Sequence, residues 1–396
     1  MALQIEQLKP VDKARPSDWS MHIFDAPAQM GSKNQHSEDI DLPVSTIKVA
    51  VVGATGYTGQ ELVRLLLQHD NVKIEKAVSQ SSQGKSFASI YPGFQNFTDL
   101  VCEEADLDHL ADQVDLLFLA LPHGHAAAKV NPSILRRCKV IDLSADFRLK
   151  NQADYETWYK FAHPSPELLQ QAVYGLPELN RQKIRQASLI ANPGCYATCA
   201  ILSLAPLLVA GIIAAESIII DAKSGVSGAG RSPALGSHFN ECNESLKAYN
   251  VGSHRHTPEI EEQLAACGKG SFCTSFTPHL VPMNRGILIT AYASLVSDIS
   301  EEQLFEIYKS FYDNELFIRL FSPTNDLYRL PETRWVKGSN FCDIGMKIDP
   351  RTNRVIIIGA LDNLVKGAAG QAIQNMNLLF GFPESSGLKQ SPIFPA

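Results

Sequence analysis

The fold is decided by residues 47–69, which read IKVAVVGATGYTGQELVRLLLQH. The apolar run over 47–52 predicts a buried strand, and Leu62, Leu65 and Leu66 share one face of the helix that follows the glycines. Further short apolar strands alternate with helical segments as far as residue 193. This alternation predicts an α/β fold with a Rossmann-type, mostly parallel sheet covered by helices on both faces.

The rest of the chain divides into two further parts. Beyond residue 193 the strands and helices are less regular, which predicts a second, α+β domain over 194–362 after the first domain over 46–193. Residues 1–45 hold four prolines, no clear period, and seven acidic residues against one arginine. Since neither a transit peptide nor a signal peptide looks like this, we expect a loosely ordered N-terminal extension.

Composition excludes several classes of protein. With 35 Lys and Arg against 42 Asp and Glu in 396 residues, the net charge of −7 argues against a nucleic-acid binder. Eight scattered cysteines without a CxxC pair indicate reduced thiols of a cytoplasmic protein, with neither disulfides nor a metal site. The uncharged stretch 186–215 is broken by prolines and glycines, so we predict a strand, a turn and a buried helix there and no membrane span.

The glycine-rich turn between the first strand and helix predicts a dinucleotide site. Glycines permit a tight turn and close approach of a pyrophosphate, which the free amides of the helix N-terminus then bind. The alternative is a plain strand–helix turn whose glycines serve packing. The predicted cofactor-binding residues of the turn are Gly53, Thr55, Gly56, Tyr57, Thr58 and Gly59.

The loop after the second strand indicates which cofactor is bound. NAD-binding proteins place a carboxylate about 20 residues after the glycines, on the ribose 2′-hydroxyl. Here the loop offers hydroxyls and an amine instead, which favours NADP(H), although a solvated polar loop is the simpler interpretation. The residues predicted to bind the 2′-phosphate are Ser79, Ser81, Ser82 and Lys85.

Cys195 is the candidate nucleophile. Pro193 and Gly194 precede it and place it in the first turn of an apolar helix, where the helix dipole stabilises a thiolate. We therefore expect a lowered thiol pKa, the alternative being an inert buried cysteine. His254 and His256 flank Arg255 before another helix, so one histidine can act as the acid/base and Arg255 can bind an anion. A surface His-Arg-His turn is the competing interpretation.

Two further segments complete the candidate site. The loop KSGVSGAGR (223–231) follows a strand, and Ser224, Gly225 and Arg231 are candidates for binding a substrate phosphate or carboxylate, unless the loop is only a flexible connection. Asn363 follows the last strand and offers an amide that can face a nicotinamide.

These segments together resemble the N-acetyl-γ-glutamyl-phosphate reductases of arginine biosynthesis, in order and over nearly everything from residue 47 onward. The resemblance is carried by the following motifs: VVGATGYTGQELVRLL, LALPHG, DLSADFR, ANPGCYAT, DAKSGVSGAGR, HRHTPEI, TPHLVPMNRGIL and DNLVKGAAGQA. It implies a fold similar to that of the semialdehyde dehydrogenases, in which 363–396 complete an NADP-binding domain over 46–193 and 194–362 serve catalysis and oligomerisation.

The resemblance also implies an activity and its residues. Cys195 would form a thioester, with His256 as general acid/base and His254 nearby, in the NADPH-dependent reduction of a small-molecule acyl phosphate by a homodimer or homotetramer. A related substrate, aminoadipyl or aspartyl phosphate, stays open, because spacing in a sequence does not measure a pocket. A non-catalytic NADP-sensing module also stays open, since it would need only the glycine turn.

Overall fold

The computed structural model describes residues 46–268, 270–322 and 329–395. The predicted N-terminal extension, 1–45, lies outside the described residues. The predicted α/β architecture is confirmed: one sheet is parallel throughout, and a second sheet is mixed.

The first sheet has seven strands in the order β3-β2-β1-β4-β5-β7-β6, and every pairing in it is parallel. Alternate residues of its inner strand β1 enter two different apolar layers: Val49 and Val51 lie on one face, Ala50 and Val52 on the other. Both faces are thus covered, as expected of a parallel sheet. The strands are β1 (Ile47–Val52), β2 (Val72–Val78), β3 (Cys102–Glu103), β4 (Leu116–Leu119), β5 (Lys139–Asp142), β6 (Val173–Tyr174) and β7 (Leu189–Ala191).

Helices cover this sheet, several of them a single turn long. The predicted helix after the glycines is present, and its leucines Leu62, Leu65 and Leu66 are buried. The helices are α1 (Tyr57–Leu66), α2 (Phe87–Ile90), α3 (Leu107–Leu110), α4 (His125–Lys129), α5 (Pro132–Arg137), α6 (Gln152–Tyr159), α7 (Pro166–Leu169) and α8 (Pro177–Arg185).

The second sheet has the order β12-β13-β14-β11-β8-β10-β9. The pairs β8–β10 and β12–β13 are parallel and the remaining pairs are antiparallel. Its strands are β8 (Ile219–Ser224), β9 (Lys247–Ala248), β10 (Ser275–Leu280), β11 (Ile287–Ser294), β12 (Ile318–Phe321), β13 (Cys342–Asp349) and β14 (Arg354–Leu361).

The long apolar helix of the uncharged stretch packs on the second sheet. Ile201 and Leu204 of this helix share one buried cluster with Ile220, Ile289 and Ile357 of the strands. Within the described ranges, no helix is long and apolar enough to cross a membrane. The remaining helices are α9 (Cys195–Val209), α10 (Phe239–Cys242), α11 (His256–Cys267), α12 (Glu301–Phe311) and α13 (Gly370–Phe380), with a π-helical turn at Val365–Ala369.

The C-terminal helix returns to the first sheet. Ala372, Ile373 and Met376 of α13 belong to the same apolar cluster as Val49 and Leu62. This contact supports the predicted division of the chain, and we propose that 46–193 with 363–396 form one domain and 194–362 the other.

Candidate active site

The glycine turn has a shape that only glycine permits at two positions. Gly53 has a φ of +84°, and a Cβ there would lie 2.2 Å from the carbonyl oxygen of Ala120. A Cβ on Gly59 would lie 2.2 Å from the carbonyl oxygen of Gly53. Helix α1 begins directly after Gly56, and no described side chain caps its first turn. The amides of this turn are therefore available to an anionic ligand.

The polar residues beside the turn differ in exposure. The hydroxyls of Thr55 and Ser79 are buried and hydrogen-bonded to each other at 2.6 Å. Tyr57, Ser81 and Lys85 are exposed, whereas Thr58 and Ser82 are half-buried. The structure thus brings the predicted cofactor residues of both loops to the carboxyl ends of neighbouring strands, the edge where α/β sheets bind ligands.

Arg231 lies at this turn and not among the substrate residues with which it was grouped. Its Nη1 donates to the carbonyl oxygen of Thr55 and to the hydroxyl of Tyr91, both at 2.9 Å. Its guanidinium also covers the Tyr91 ring at 4.8 Å. Its contacts are therefore with the nucleotide side of the molecule.

Cys195 is the first residue of α9, as predicted, and tightly packed backbone surrounds it. A Cβ on Gly367, in the π-helical turn, would lie 2.8 Å from the Cβ of Cys195. A Cβ on Gly194 would lie 2.5 Å from Nε2 of His256 and 2.8 Å from Nη1 of Arg148. Both glycines thus let other elements approach the cysteine, and the imidazole of His256 lies against the peptide that precedes it.

A buried carboxylate anchors this helix start. Glu259 Oε1 accepts hydrogen bonds from the Gly194 backbone N–H and from the Tyr174 hydroxyl, both at 2.8 Å. Its Oε2 pairs with Arg148 Nη1 at 3.2 Å, and Arg148 Nε donates to the carbonyl oxygen of Asn192 at 2.8 Å. The network joins α11, which begins at His256, to the loop before Cys195.

The two histidines are oriented with respect to each other. His256 donates its backbone N–H to Nδ1 of His254 at 3.1 Å, and the ring centroids are 4.8 Å apart. Nδ1 of His256 is buried and has no hydrogen-bond partner among the described residues. The Nε2 side of the His256 imidazole thus faces Gly194, and its Nδ1 can carry a proton or contact a ligand.

A cavity of about 470 Å³ joins these groups. The predicted residues Cys195, Ser224, Gly225, His254, Arg255 and His256 all line it, whereas Arg231 does not. Residues that sequence reasoning did not single out also line it, among them His123, Tyr159, Lys247 and Tyr249. One cavity thus contains both the cysteine and the His-Arg-His segment, which supports the prediction of a joint site over an inert cysteine and an isolated surface turn.

The expected lowering of the cysteine pKa is wrong. Burial raises the pKa of the Cys195 thiol to about 11, although the Arg148 guanidinium and the backbone N–H of Tyr196 act in the opposite direction. Burial also lowers the pKa of His254 to about 4 and the pKa of His256 well below its usual range. At neutral pH the site therefore contains a neutral thiol beside neutral imidazoles, the protonation states that general-base activation requires.

The predicted cofactor residue Asn363 is engaged in holding loops together. Its Oδ1 accepts the Gly286 backbone N–H at 2.8 Å, and its Nδ2 donates to the Ser227 hydroxyl at 3.0 Å. Asn363 is thereby bonded to the same SGVSGAGR loop that supplies Ser224 and Gly225 to the cavity. Its predicted contact with a nicotinamide stays a prediction.

Arg148 and Glu259 are the functional residues that sequence reasoning missed. Both stand inside quoted motifs, DLSADFR and HRHTPEI, so a signal was available. Their pairing spans 111 residues, which no local pattern reveals.

Comparison with known proteins gives matches over both halves of the chain. Residues 48–187 match the family model described as "Semialdehyde dehydrogenase, NAD binding domain". Residues 195–363 match the model described as "Semialdehyde dehydrogenase, dimerisation domain".

Individual relatives are similar over nearly their whole length. A Campylobacter jejuni protein named N-acetyl-gamma-glutamyl-phosphate reductase is 57% identical over 343 residues, which cover 87% of this chain and 98% of that protein. A protein of the same name from Lachnospira eligens is 55% identical over 351 residues, covering 88% of this chain and 100% of the relative. Among solved structures, aspartate semialdehyde dehydrogenase II from Vibrio cholerae has a TM-score of 0.64 at 19% identity, covering 85% of this chain and 98% of that chain. This last likeness concerns the fold alone.

Proposed function

This chain belongs to the N-acetyl-γ-glutamyl-phosphate reductase family, and we propose that it reduces N-acetyl-γ-glutamyl phosphate with NADPH to N-acetylglutamate semialdehyde and phosphate. The observation that carries the proposal is the single cavity that holds Cys195 at a helix start together with His254, Arg255 and His256. A nucleotide sensor would need only the glycine turn and would have no use for this constellation.

The first chemical step belongs to Cys195 and His256. Neutral His256 takes the thiol proton at Nε2, the nitrogen that lies against Gly194, as the sulfur attacks the γ-acyl carbon. The new C–S bond replaces the C–O bond to phosphate, and phosphate leaves with that electron pair and the proton from His256. The product of this step is a thioester on Cys195.

The second step returns the enzyme to its starting state. When bound, NADPH supplies the hydride that reduces the thioester carbon. Collapse of the resulting tetrahedral species breaks the C–S bond, releases the aldehyde and leaves a thiolate, which a solvent proton restores to the thiol. Burial of Cys195 favours this return, because a thiolate is costly in the desolvated site.

The glycine turn fits the nucleotide. The uncapped start of α1 offers free backbone amides to a pyrophosphate, and Gly53 and Gly59, where a Cβ would meet backbone at 2.2 Å, let the turn fold tightly enough to present them. Gly53, Gly56 and Gly59 would admit it to the helix N-terminus, and Ser81 and Lys85 would meet a 2′-phosphate. The absence of a carboxylate from the loop 79–85 supports NADP(H) over NAD.

Assembly and location are further parts of the proposal. We infer a homodimer or homotetramer, supported by the match of 195–363 to a dimerisation domain and by the exposed side chains of Leu235, Phe239, Leu246 and Val251. A cytoplasmic location is supported by the eight cysteines, all of which are free.

The proposed activity is tested by following NADPH oxidation with N-acetyl-γ-glutamyl phosphate for the wild type and for Cys195→Ser. We expect turnover by the wild type and none by Cys195→Ser, because a serine hydroxyl beside a neutral imidazole is a far weaker nucleophile. Cys273→Ser is the matched control, since Cys273 is exposed and does not line the cavity. Turnover that persists in Cys195→Ser contradicts the thioester route. NADPH binding without reduction of any acyl phosphate contradicts the proposal that the protein is a reductase.

A further inference from the structure

We propose that Lys247 binds the α-carboxylate of the substrate while Arg255 binds its phosphate. The inference rests on the proposed function and assigns the two anionic ends of that substrate to two sides of the cavity. Lys247 belongs to none of the motifs that carry the family resemblance and was not among the predicted site residues.

The position of Lys247 is fixed by a short edge strand. Strand β9 pairs antiparallel with β10 at the edge of the second sheet, and Lys247 lies opposite Leu280. Both residues line the cavity that contains Cys195. Lys247 Nζ lies 3.6 Å from the place that a Cβ on Gly236 would occupy, so the ammonium group sits beside the loop 234–237 that borders the same cavity.

The charge of the cavity is unbalanced. Within the described part of the chain, its lining contains no aspartate or glutamate, yet it contains the cations Lys247 and Arg255. Neither cation forms an ion pair with any described carboxylate. Two unpaired cations in a cavity free of acidic side chains suit a ligand with two separated anionic groups. N-acetyl-γ-glutamyl phosphate has two such groups, a phosphate and an α-carboxylate.

The order of the two groups follows from the reacting carbon. The phosphate is bonded directly to the acyl group that Cys195 attacks, so of the two unpaired cations we assign it to the one nearer the acid/base. Burial lowers the pKa of both His254 and His256, and the guanidinium of Arg255 is close enough to help lower it further. This guanidinium lies 5.5 Å from the centroid of the Tyr159 ring in the wall of the cavity. The α-carboxylate lies several bonds further along the substrate, which leaves it to Lys247 beside the loop 234–237.

The reverse reaction tests this assignment, because it presents the two anions as separate substrates. Initial rates of NADP⁺ reduction are measured with N-acetylglutamate semialdehyde and inorganic phosphate, each varied in turn. We expect Lys247→Met to raise KM for the semialdehyde at least about tenfold and to leave KM for phosphate within about twofold. Arg255→Met is expected to give the opposite pattern. Lys129→Met, an exposed lysine outside the cavity, is the control and should change neither constant.

A modified substrate isolates the Lys247 contact from any effect on folding. The α-carboxamide of the semialdehyde should be a poorer substrate for the wild type by about the same factor as Lys247→Met loses with the normal semialdehyde. Lys247→Met and Lys247→Gln should show no further loss with the carboxamide, whereas Lys247→Arg should keep part of the preference for the carboxylate. A full carboxamide penalty in Lys247→Met, or a rise in KM for phosphate alone, overturns the assignment. Absence of any wild-type turnover would instead refute the proposed function.

Discussion

At the scale of single residues, the chemistry depends on how Cys195 is ionised. The start of a helix and the Arg148 guanidinium both favour a thiolate, but the cost of desolvating a charged sulfur in this packed site is larger. His256 is neutral for the same reason. At neutral pH the shared proton of this pair therefore lies on the sulfur.

Alkylation of the free enzyme measures this ionisation. With a pKa of about 11, only about one Cys195 thiol in ten thousand is ionised at pH 7. We expect the rate of iodoacetamide modification at Cys195 to rise about tenfold per pH unit between pH 7 and pH 10, because the thiolate is the reactive form. Peptide mass spectrometry separates Cys195 from the exposed Cys273. A rate that levels off near pH 7 would mean that the helix start lowers the thiol pKa by more than burial raises it.

The two histidines should differ in their contribution to turnover. Nε2 of His256 lies against Gly194, whereas His254 holds the His256 backbone through its Nδ1. We expect His256→Asn to lower kcat by about a hundredfold or more, the usual effect of removing a general base. His254→Asn keeps an acceptor near the backbone N–H and should lose about tenfold or less. Steady-state rates decide, and equal mild losses in both variants would refute His256 as the proton carrier.

At the scale of elements, three helical segments meet around two glycines. The start of α9, the start of α11 and the π-helical turn approach one another at Gly194 and Gly367, where side chains would collide. The site therefore requires glycine at both positions because there is no room for a side chain. The backbone conformation does not require glycine at Gly194, whose φ of −69° suits any residue.

Gly194→Ala tests this close approach. The new methyl group would lie 2.5 Å from His256 Nε2 and 2.8 Å from Arg148 Nη1, so both side chains must move. A displacement of about 1 Å at a catalytic base typically costs about a hundredfold in rate, and we expect a fall in kcat of that order. Gly93→Ala is the control, because a Cβ there meets no heavy atom within 4 Å. Unchanged kcat in Gly194→Ala would show that the imidazole has no fixed position.

The central elements of both sheets could be predicted from the sequence because their signals are local. Short strand-like segments of the sequence indicate β1, β2, β4, β5, β7, β8, β11 and β14, and α12 has a local start signal in Ser300, where a full capping box is present. Strands β3, β6 and β9 have two residues each, too short for a period to appear. Strand β13 also has a weak signal, because its sequence, CDIGMKID, alternates between apolar and polar residues only in part.

Only those parts of the candidate site that lie within a single sequence motif could be predicted. Cys195 and the histidines stand in recognisable segments, so their roles were proposed before the structure. The Glu259 bond to Gly194 and the place of Lys247 beside Gly236 depend on how distant segments pack. The contact of Arg231 with Tyr91 likewise depends on the fold, and its predicted binding of a substrate anion stays a prediction.

At the scale of the whole molecule, the two sheets are joined by more than the return of α13. Arg285, in the loop before β11, pairs with Glu61 of α1 at 2.7 Å and lies 3.6 Å from Asp362 after β14. The same loop accepts backbone N–H bonds from Gly225 and Val226 of the SGVSGAGR loop. Helix α1 and the residue after β14 thus share one half-buried cation, and the loop that carries this cation is bonded to the SGVSGAGR loop.

Arg285→Ala should therefore weaken the contact between the two sheets and destabilise the protein. Glu61 keeps Arg64 as a partner, so we expect a loss of about 1–3 kcal/mol in the free energy of unfolding, less than for a fully orphaned carboxylate. Urea denaturation measures this loss of stability. The KM for NADPH should also rise, because α1 loses its ion pair with Arg285. Arg64→Ala removes the other partner of Glu61 without crossing between the sheets and should cost under about 1 kcal/mol, as its side chain is partly exposed.

The pH dependence of this effect separates the ion pair from simple packing. Burial alone would raise the pKa of Glu61, but Arg64 and Arg285 outweigh it and hold the pKa below its ordinary value. A carboxyl with a lowered folded-state pKa stabilises the protein above its unfolded-state pKa, and this contribution is lost as the pH falls through the folded-state value. The difference in stability between wild type and Arg285→Ala should thus be largest at neutral pH and shrink below about pH 4. A difference that stays constant down to acid pH would mean that Arg285 joins the sheets by packing of its side chain and not by its charge.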